Sequence, residues 1–120
     1  MTAERQTRLL VVEDEPATRR VLLISLRSLG FEVLTASDGR EALSIVDAYD
    51  PDVIMLDLLM PVMDGFEFMR MYKGKVPIVV MSGWGDLKEL PRAVFATVVK
   101  PAGMSEVAPI LRDAAKSWRV

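Results

Sequence analysis

Four places along the chain put a reactive side chain directly after an apolar run. Glu13, Asp14 and Glu15 follow RLLVV (8–12), and Asp57 follows VIML (53–56). Ser82 and Gly83 follow PIVVM (77–81), and Lys100-Pro101 follows ATVV (96–99). A carboxylate at the end of a core-forming run is costly unless it is paired, hydrogen-bonded or bound to a cation. Carboxylates brought together repel one another, and a divalent cation relieves that repulsion. Mg²⁺ prefers oxygen ligands, keeps several waters, and commonly takes one or two carboxylates plus phosphate oxygens. Asp14, Asp57 and a backbone carbonyl, with Glu13 acting through water, fit that habit. Lys100 supplies a cation for a phosphate oxygen, and Ser82 a short donor for another. A carboxylate beside the metal can attack phosphorus to form an acyl phosphate, a transfer that needs mostly positioning and charge neutralisation.

Composition narrows the chemistry further. The 120 residues are 51% hydrophobic and 27% charged, which fits one folded domain with one core. A net charge of −2 gives no electrostatic case for nucleic acid or an anionic membrane surface. No apolar run reaches the length of a membrane span, and the polar start MTAERQTR lacks the apolar stretch of a secretion signal. The cytoplasm is the expected compartment. With no cysteine and no histidine, thiolate catalysis, imidazole bases and zinc-thiolate sites are excluded, so any metal is held by oxygen.

The reactive residues need strands to hold them at one edge. RLLVV, FEVLTA (31–36), VIML, PIVVM and ATVV read as five strands. Between them, Thr18, Val21, Leu22, Ser25, Leu26 and Leu29 recur at helical spacing after Pro16, with Gly30 as the stop. Ser37 or Asp38 caps a second helix with Ala42, Leu43, Val46 and Tyr49 inward. A short helix runs from about Gly65 to Tyr72 with Phe66, Phe68 and Met69 inward, and Gly74 follows it. A last helix carries Val107, Ile110, Leu111, Ala114, Ala115 and Trp118 as its apolar stripe. Pro109 fits that helix only in its first turn or at a bend. Strands alternating with helices predict an α/β fold, a doubly wound five-stranded parallel sheet. Function in such folds gathers at the C-terminal strand ends, where the acids, the hydroxyl and the lysine fall.

With these residues in place, the sequence resembles a response-regulator receiver domain of two-component signalling, over essentially the whole chain. The motifs are VVEDE (11–15), LDLLMPVMDG (56–65), MSG (81–83) and VKP (99–101). The resemblance implies a flavodoxin-like (βα)5 receiver fold over 1–120, with residues 1–7 as a flexible lead. It implies Asp57 as phosphoacceptor, Asp14 as a direct Mg²⁺ ligand, Glu13 acting through water and Leu59 lending its backbone carbonyl, with Mn²⁺ as an alternative metal. Ser82, with Gly83, and Lys100 would bind the phosphoryl group, and Pro101 would shape the following turn. The implied partners are a histidine kinase or histidine phosphotransfer protein and a downstream protein, with no nucleic acid or membrane. The domain itself would be a monomer or weak homodimer. It would catalyse only its own phosphorylation and dephosphorylation.

Departures from the family pattern are specific. Thr97 stands where the family usually has an aromatic that swings inward on activation. The stretch from Ser82 to Lys100 is shorter than usual and contains Pro91, so the family's helix 4 is expected to be short. Ala102-Gly103 follows the lysine-proline pair, where an aromatic is common. Leu59 and Trp84 are bulky at positions that flank the site, and they are expected to hinder the attacking water. The alternatives to a phosphorylated single-domain switch are a phosphate shuttle or sink, a receiver excised from a larger protein, and an unphosphorylated interaction module. An aspartyl-phosphate phosphatase is a fourth, but Leu59 stands where such an enzyme places its general acid.

Overall fold

The computed structural model describes residues 6–57, 65–82, 93–100 and 102–118. Strands and helices alternate along them: β1 (Arg8–Val12), α1 (Pro16–Ser28), β2 (Glu32–Ala36), α2 (Gly39–Tyr49) and β3 (Val53–Asp57), then α3 (Gly65–Met71), β4 (Ile78–Ser82), β5 (Val94–Val99) and α4 (Met104–Lys116). The strands form one parallel sheet in the order β2-β1-β3-β4-β5. The chain switches direction across the sheet between β1 and β3, and ligands of doubly wound sheets bind at that point. No helix among the described residues is long and apolar enough to cross a membrane.

Register explains why the central strands are apolar throughout. Leu9 pairs with Val53 and Leu10 with Ile54, so residues of equal parity share a face. Leu10, Val12, Ile54, Leu56, Ile78 and Val80 pack under α2 and α3 with Ala42, Val46, Phe68 and Met69. Leu9, Val11, Val53, Met55, Val79 and Met81 pack under α1 and α4 with Leu26, Val107, Leu111 and Ala114. Both faces are covered, so alternation of polar and apolar residues is lost.

Local chemistry sets the helix ends. Pro16 occupies the first helical position of α1, and the Glu15 carboxylate accepts the Ala17 N–H at 2.8 Å. Leu29 is the C-cap, and Gly30 follows with φ 99°, a backbone conformation in which a side chain is strained. Asp38 caps α2 by accepting the Glu41 N–H at 2.8 Å, while Asp50 closes it in the left-handed region.

Several elements differ from the sequence reading. Val21, one of the residues at helical spacing, is 60% exposed. The inner side of α1 consists of Leu26 with the partly buried Leu22, Leu23 and Leu29. Asp57 and Ser82 are the last residues of β3 and β4 rather than their successors, and β5 begins at Val94. Pro109 lies inside α4, beyond its first turn, on an exposed side where the missing N–H is cheapest. The Phe66 side chain and the stretch expected to hold the family's helix 4 lie outside the described residues.

Trp118 lies past the end of α4 and packs against the α2/α3 core instead of continuing the α4 stripe. Its indole N–H donates to the Asp52 carbonyl at 2.8 Å, just before β3. Trp118→Phe keeps most of the packing and removes that donor. It is expected to cost about 1 kcal/mol, lowering Tm by roughly 3–5 °C in a thermal melt, with no change in metal binding.

Candidate functional site

The loop after β1 is fixed from three sides. The Glu13 N–H donates to the Ala36 carbonyl at 3.0 Å, which extends the β1/β2 ladder by one step. The Glu13 carboxylate turns back to accept the Glu15 N–H at 3.2 Å. From α1, Arg19 Nη1 donates to the carbonyls of Glu13 and Asp14 at 3.1 and 3.3 Å. Sequence reasoning missed Arg19. The available signal was a basic residue in the first turn of a helix, where the dipole disfavours one.

Asp57 has the parity of Val53 and Met55, so it faces α1 and α4, as Glu13 does from the end of β1. Glu13 is 4% exposed and Asp57 8%. Carboxylate oxygens of Glu13, Asp14 and Asp57 lie within 4.8 Å of one another. Lys100 reaches in from the end of β5, with Nζ 2.9 Å from Asp57 Oδ2. The Lys100 N–H donates to the Ser82 carbonyl at 2.7 Å, which ties the ends of β4 and β5 together.

Glu13, Asp14, Asp57 and Lys100 are therefore gathered at the switch point of the sheet. Ser82 is 1% exposed at the adjacent strand end. By alternation with Ile78 and Val80, its side chain belongs to the α2/α3 face, opposite that of Asp57. Thr97 pairs with Val80 and is exposed. A register irregularity between β4 and β5 leaves Phe95 as an exposed aromatic near it. Nothing in the residue pattern announces that irregularity. Leu59, Gly83, Trp84 and Pro101 lie outside the described residues.

Burial pushes the Glu13 carboxyl up to about 7; the Glu15 N–H pulls it down, and the Asp57 charge adds to the rise. The ordinary value is 4.5. Between those values the folded state holds more protons than the unfolded one, so the Glu13 contribution to stability falls as pH rises. The full shift corresponds to about 3 kcal/mol, and solvent screening at the mouth of the site reduces the expected effect to about 1 kcal/mol. Without divalent metal, Glu13→Gln is expected to be more stable than the unaltered chain at pH 8 and equal to it at pH 4. Thermal melts in EDTA at both pH values check this; a difference independent of pH would contradict it.

The donor set passes a test for a hard divalent cation. It is all oxygen, closely spaced, partly buried and negative in excess of Lys100. Such a site can hold a metal ion beside a carboxylate oxygen that is able to attack phosphorus.

Comparison with known proteins identifies the family and the fold. KdpE, a transcriptional regulatory protein of Mycobacterium tuberculosis, is 37% identical over 116 residues, covering 92% of this chain and 51% of that protein. The chain spans about half the length of the curated relatives it matches. The CheY4 chemotaxis protein of Vibrio cholerae is 31% identical with a TM-score of 0.74, covering 91% of this chain and 98% of that one. The receiver domain of sensor histidine kinase PA1611 from Pseudomonas aeruginosa PAO1 is 29% identical with a TM-score of 0.80, covering 93% of this chain and 99% of that one. That structure holds a magnesium ion coordinated in its active site cleft. The family model for the response regulator receiver domain matches residues 9–111, from the first core strand into the last helix. The chain belongs to the response regulator receiver domain family of two-component signalling.

Proposed function

We propose that the chain is a phosphoacceptor switch in which Asp57 takes a phosphoryl group from a phosphohistidine of a histidine kinase or histidine phosphotransfer protein. The observation that carries this reading is the Glu13, Asp14 and Asp57 cluster within 4.8 Å, with Lys100 Nζ 2.9 Å from Asp57 Oδ2. An Asp57 oxygen forms the new P–O bond as the P–N bond to the donor imidazole breaks, and the imidazole nitrogen keeps the electron pair. The sequence contains no histidine, so the phosphohistidine lies outside these residues. The reaction acts on no other substrate, and the domain is a switch rather than an enzyme.

Asp14 and Asp57 would hold Mg²⁺ or Mn²⁺ by their carboxylates, Leu59 by its backbone carbonyl and Glu13 through water. The magnesium in the active site cleft of the PA1611 receiver domain supports a metal at this site. When bound, the metal would neutralise charge on the phosphoryl oxygens. Lys100 would offer its ammonium to one phosphoryl oxygen, and Ser82, on the opposite sheet face by alternation, would move to offer its hydroxyl to another. Gly83 and Pro101, outside the described residues, keep the roles that the resemblance implies. Leu59 and Trp84, which lie outside the described residues, are assigned the role of hindering the attacking water. With Thr97 in place of an aromatic, the signal passes through Lys100 into β5, where a downstream protein reads it.

Incubation with acetyl phosphate, followed by intact mass, tests the reading. The account expects one added phosphoryl group with Mg²⁺ and labelling at least about 100-fold slower in EDTA. Equal labelling in the two conditions would contradict it.

A further inference from the structure

A cleft of about 390 Å³ opens beside the acid cluster. Its polar end is formed by Glu13, Asp57 and Lys100, and its body by Leu22, Met55, Met81 and Met104. The two parts meet because Glu13, Met55, Asp57 and Met81 share the sheet face covered by α1 and α4. Close-packed interiors leave few voids larger than a water molecule. This volume instead falls at the low end of small-molecule sites, about 300–1,000 Å³. The wall at Ala102 contributes only a methyl group, which leaves the space open between the strand ends and the start of α4. The methionines are unbranched and re-pack readily around a ligand.

Charge selects the ligand. Glu13 and Asp57 line the polar end and Asp14 stands within 4.8 Å of both; among the described residues Lys100 is the cation that lines it, while the Arg19 guanidinium is turned to the backbone carbonyls of Glu13 and Asp14. The polar end is therefore negative in excess, and the walls behind it are apolar.

We propose that this cleft binds a small amphipathic amine, with its ammonium in the acid cluster and an apolar body about one ring in size among Leu22, Met55, Met81 and Met104. The inference rests on the reading of the acid cluster as a cation site. It adds a second, organic cation that competes with the divalent metal and holds Asp57 unphosphorylated.

Phenethylammonium, phenethyl alcohol and phenylacetate serve as probes of one body with three heads. Titrated into the full chain labelled with ¹³C at the methionine methyls, the ammonium probe is expected to shift Met55, Met81 and Met104. Its affinity should exceed that of the other two probes at least about tenfold. Saturating Mg²⁺ should weaken it by about the same factor. Ala102→Phe fills the body of the cleft and should remove the amine response while leaving the Mg²⁺ affinity within about twofold. Equal affinity for the three heads, indifference to Mg²⁺, or shifts confined to other methionines would each overturn the proposal. The Mg²⁺ competition needs only the unaltered chain, so the test stands even if the variant does not fold. Labelling of a matched, amine-free sample by acetyl phosphate with Mg²⁺ separates the two readings. Labelling without amine binding removes this inference alone, and amine binding without labelling removes the phosphoacceptor reading alone.

Discussion

Asp57→Asn is expected to take up no phosphoryl group from acetyl phosphate or from a phosphohistidine protein, a loss of at least about 10³-fold in labelling rate. The substitution is nearly isosteric, so Lys100 Nζ keeps an oxygen to donate to at the position where it now meets Asp57 Oδ2 at 2.9 Å. What disappears is the anionic nucleophile and one of three clustered charges. Fewer clustered charges mean less repulsion, so in metal-free buffer the variant should melt no lower than the unaltered chain. Loss of labelling with an unchanged or higher Tm would therefore report chemistry and not unfolding. Glu13 and Asp14 are carboxylates within 4.8 Å and are the obvious substitute acceptors. Glu13 is tied to the Glu15 N–H, and the Asp14 backbone is held by Arg19, so neither is expected to replace Asp57. Persistent labelling of Asp57→Asn, read by intact mass, would show that one does.

Lys100→Ala is expected to separate phosphorylation from response. Among the described contacts, Lys100 links Asp57 to β5 through its ammonium and β5 to β4 through its N–H on Ser82. Removing the ammonium leaves the backbone bond and takes away the charge that meets the acceptor. Labelling by acetyl phosphate should slow at least about tenfold, as for loss of a preorganised charge at a reacting group. Once labelled, the variant should show no backbone amide shift changes along Val94–Val99, while the unaltered chain shows them. The Lys100 side chain is 41% exposed, so the pair is worth at most about 1 kcal/mol of stability. Tm should fall by no more than a few degrees. Matching shifts along β5 in both proteins would mean that the signal leaves Asp57 by another route.

The sheet was legible because its strands are buried on both faces and read as nearly unbroken apolar runs. Leu9 to Val12, Val53 to Leu56 and Ile78 to Met81 need no tertiary information to be recognised. The acids and Lys100 were legible for the related reason that a charge directly after such a run must sit at an edge. Less legible were features decided by three-dimensional packing. Helix α1 carries apolar residues on more than one side, so spacing alone could not tell exposed Val21 from Leu26. Trp118 completes the helical spacing of α4 in sequence, but the chain turns before it and its N–H finds Asp52. Arg19 acts on backbone carbonyls, so its partners leave no mark in sequence, and its place in the first turn of α1 was the one signal. The cleft depends on what Ala102 lacks, and an absent side chain becomes visible only when its surroundings are known.

The central claim is that the phosphoryl group goes onto Asp57. Borohydride reduction of the labelled protein converts an acyl phosphate to an alcohol, and peptide mass spectrometry then locates the converted residue. The account predicts a single conversion, aspartate to homoserine at position 57, dependent on Mg²⁺ during labelling. Conversion at Glu13 or Asp14, or labelled protein with no conversion at 57, would contradict it.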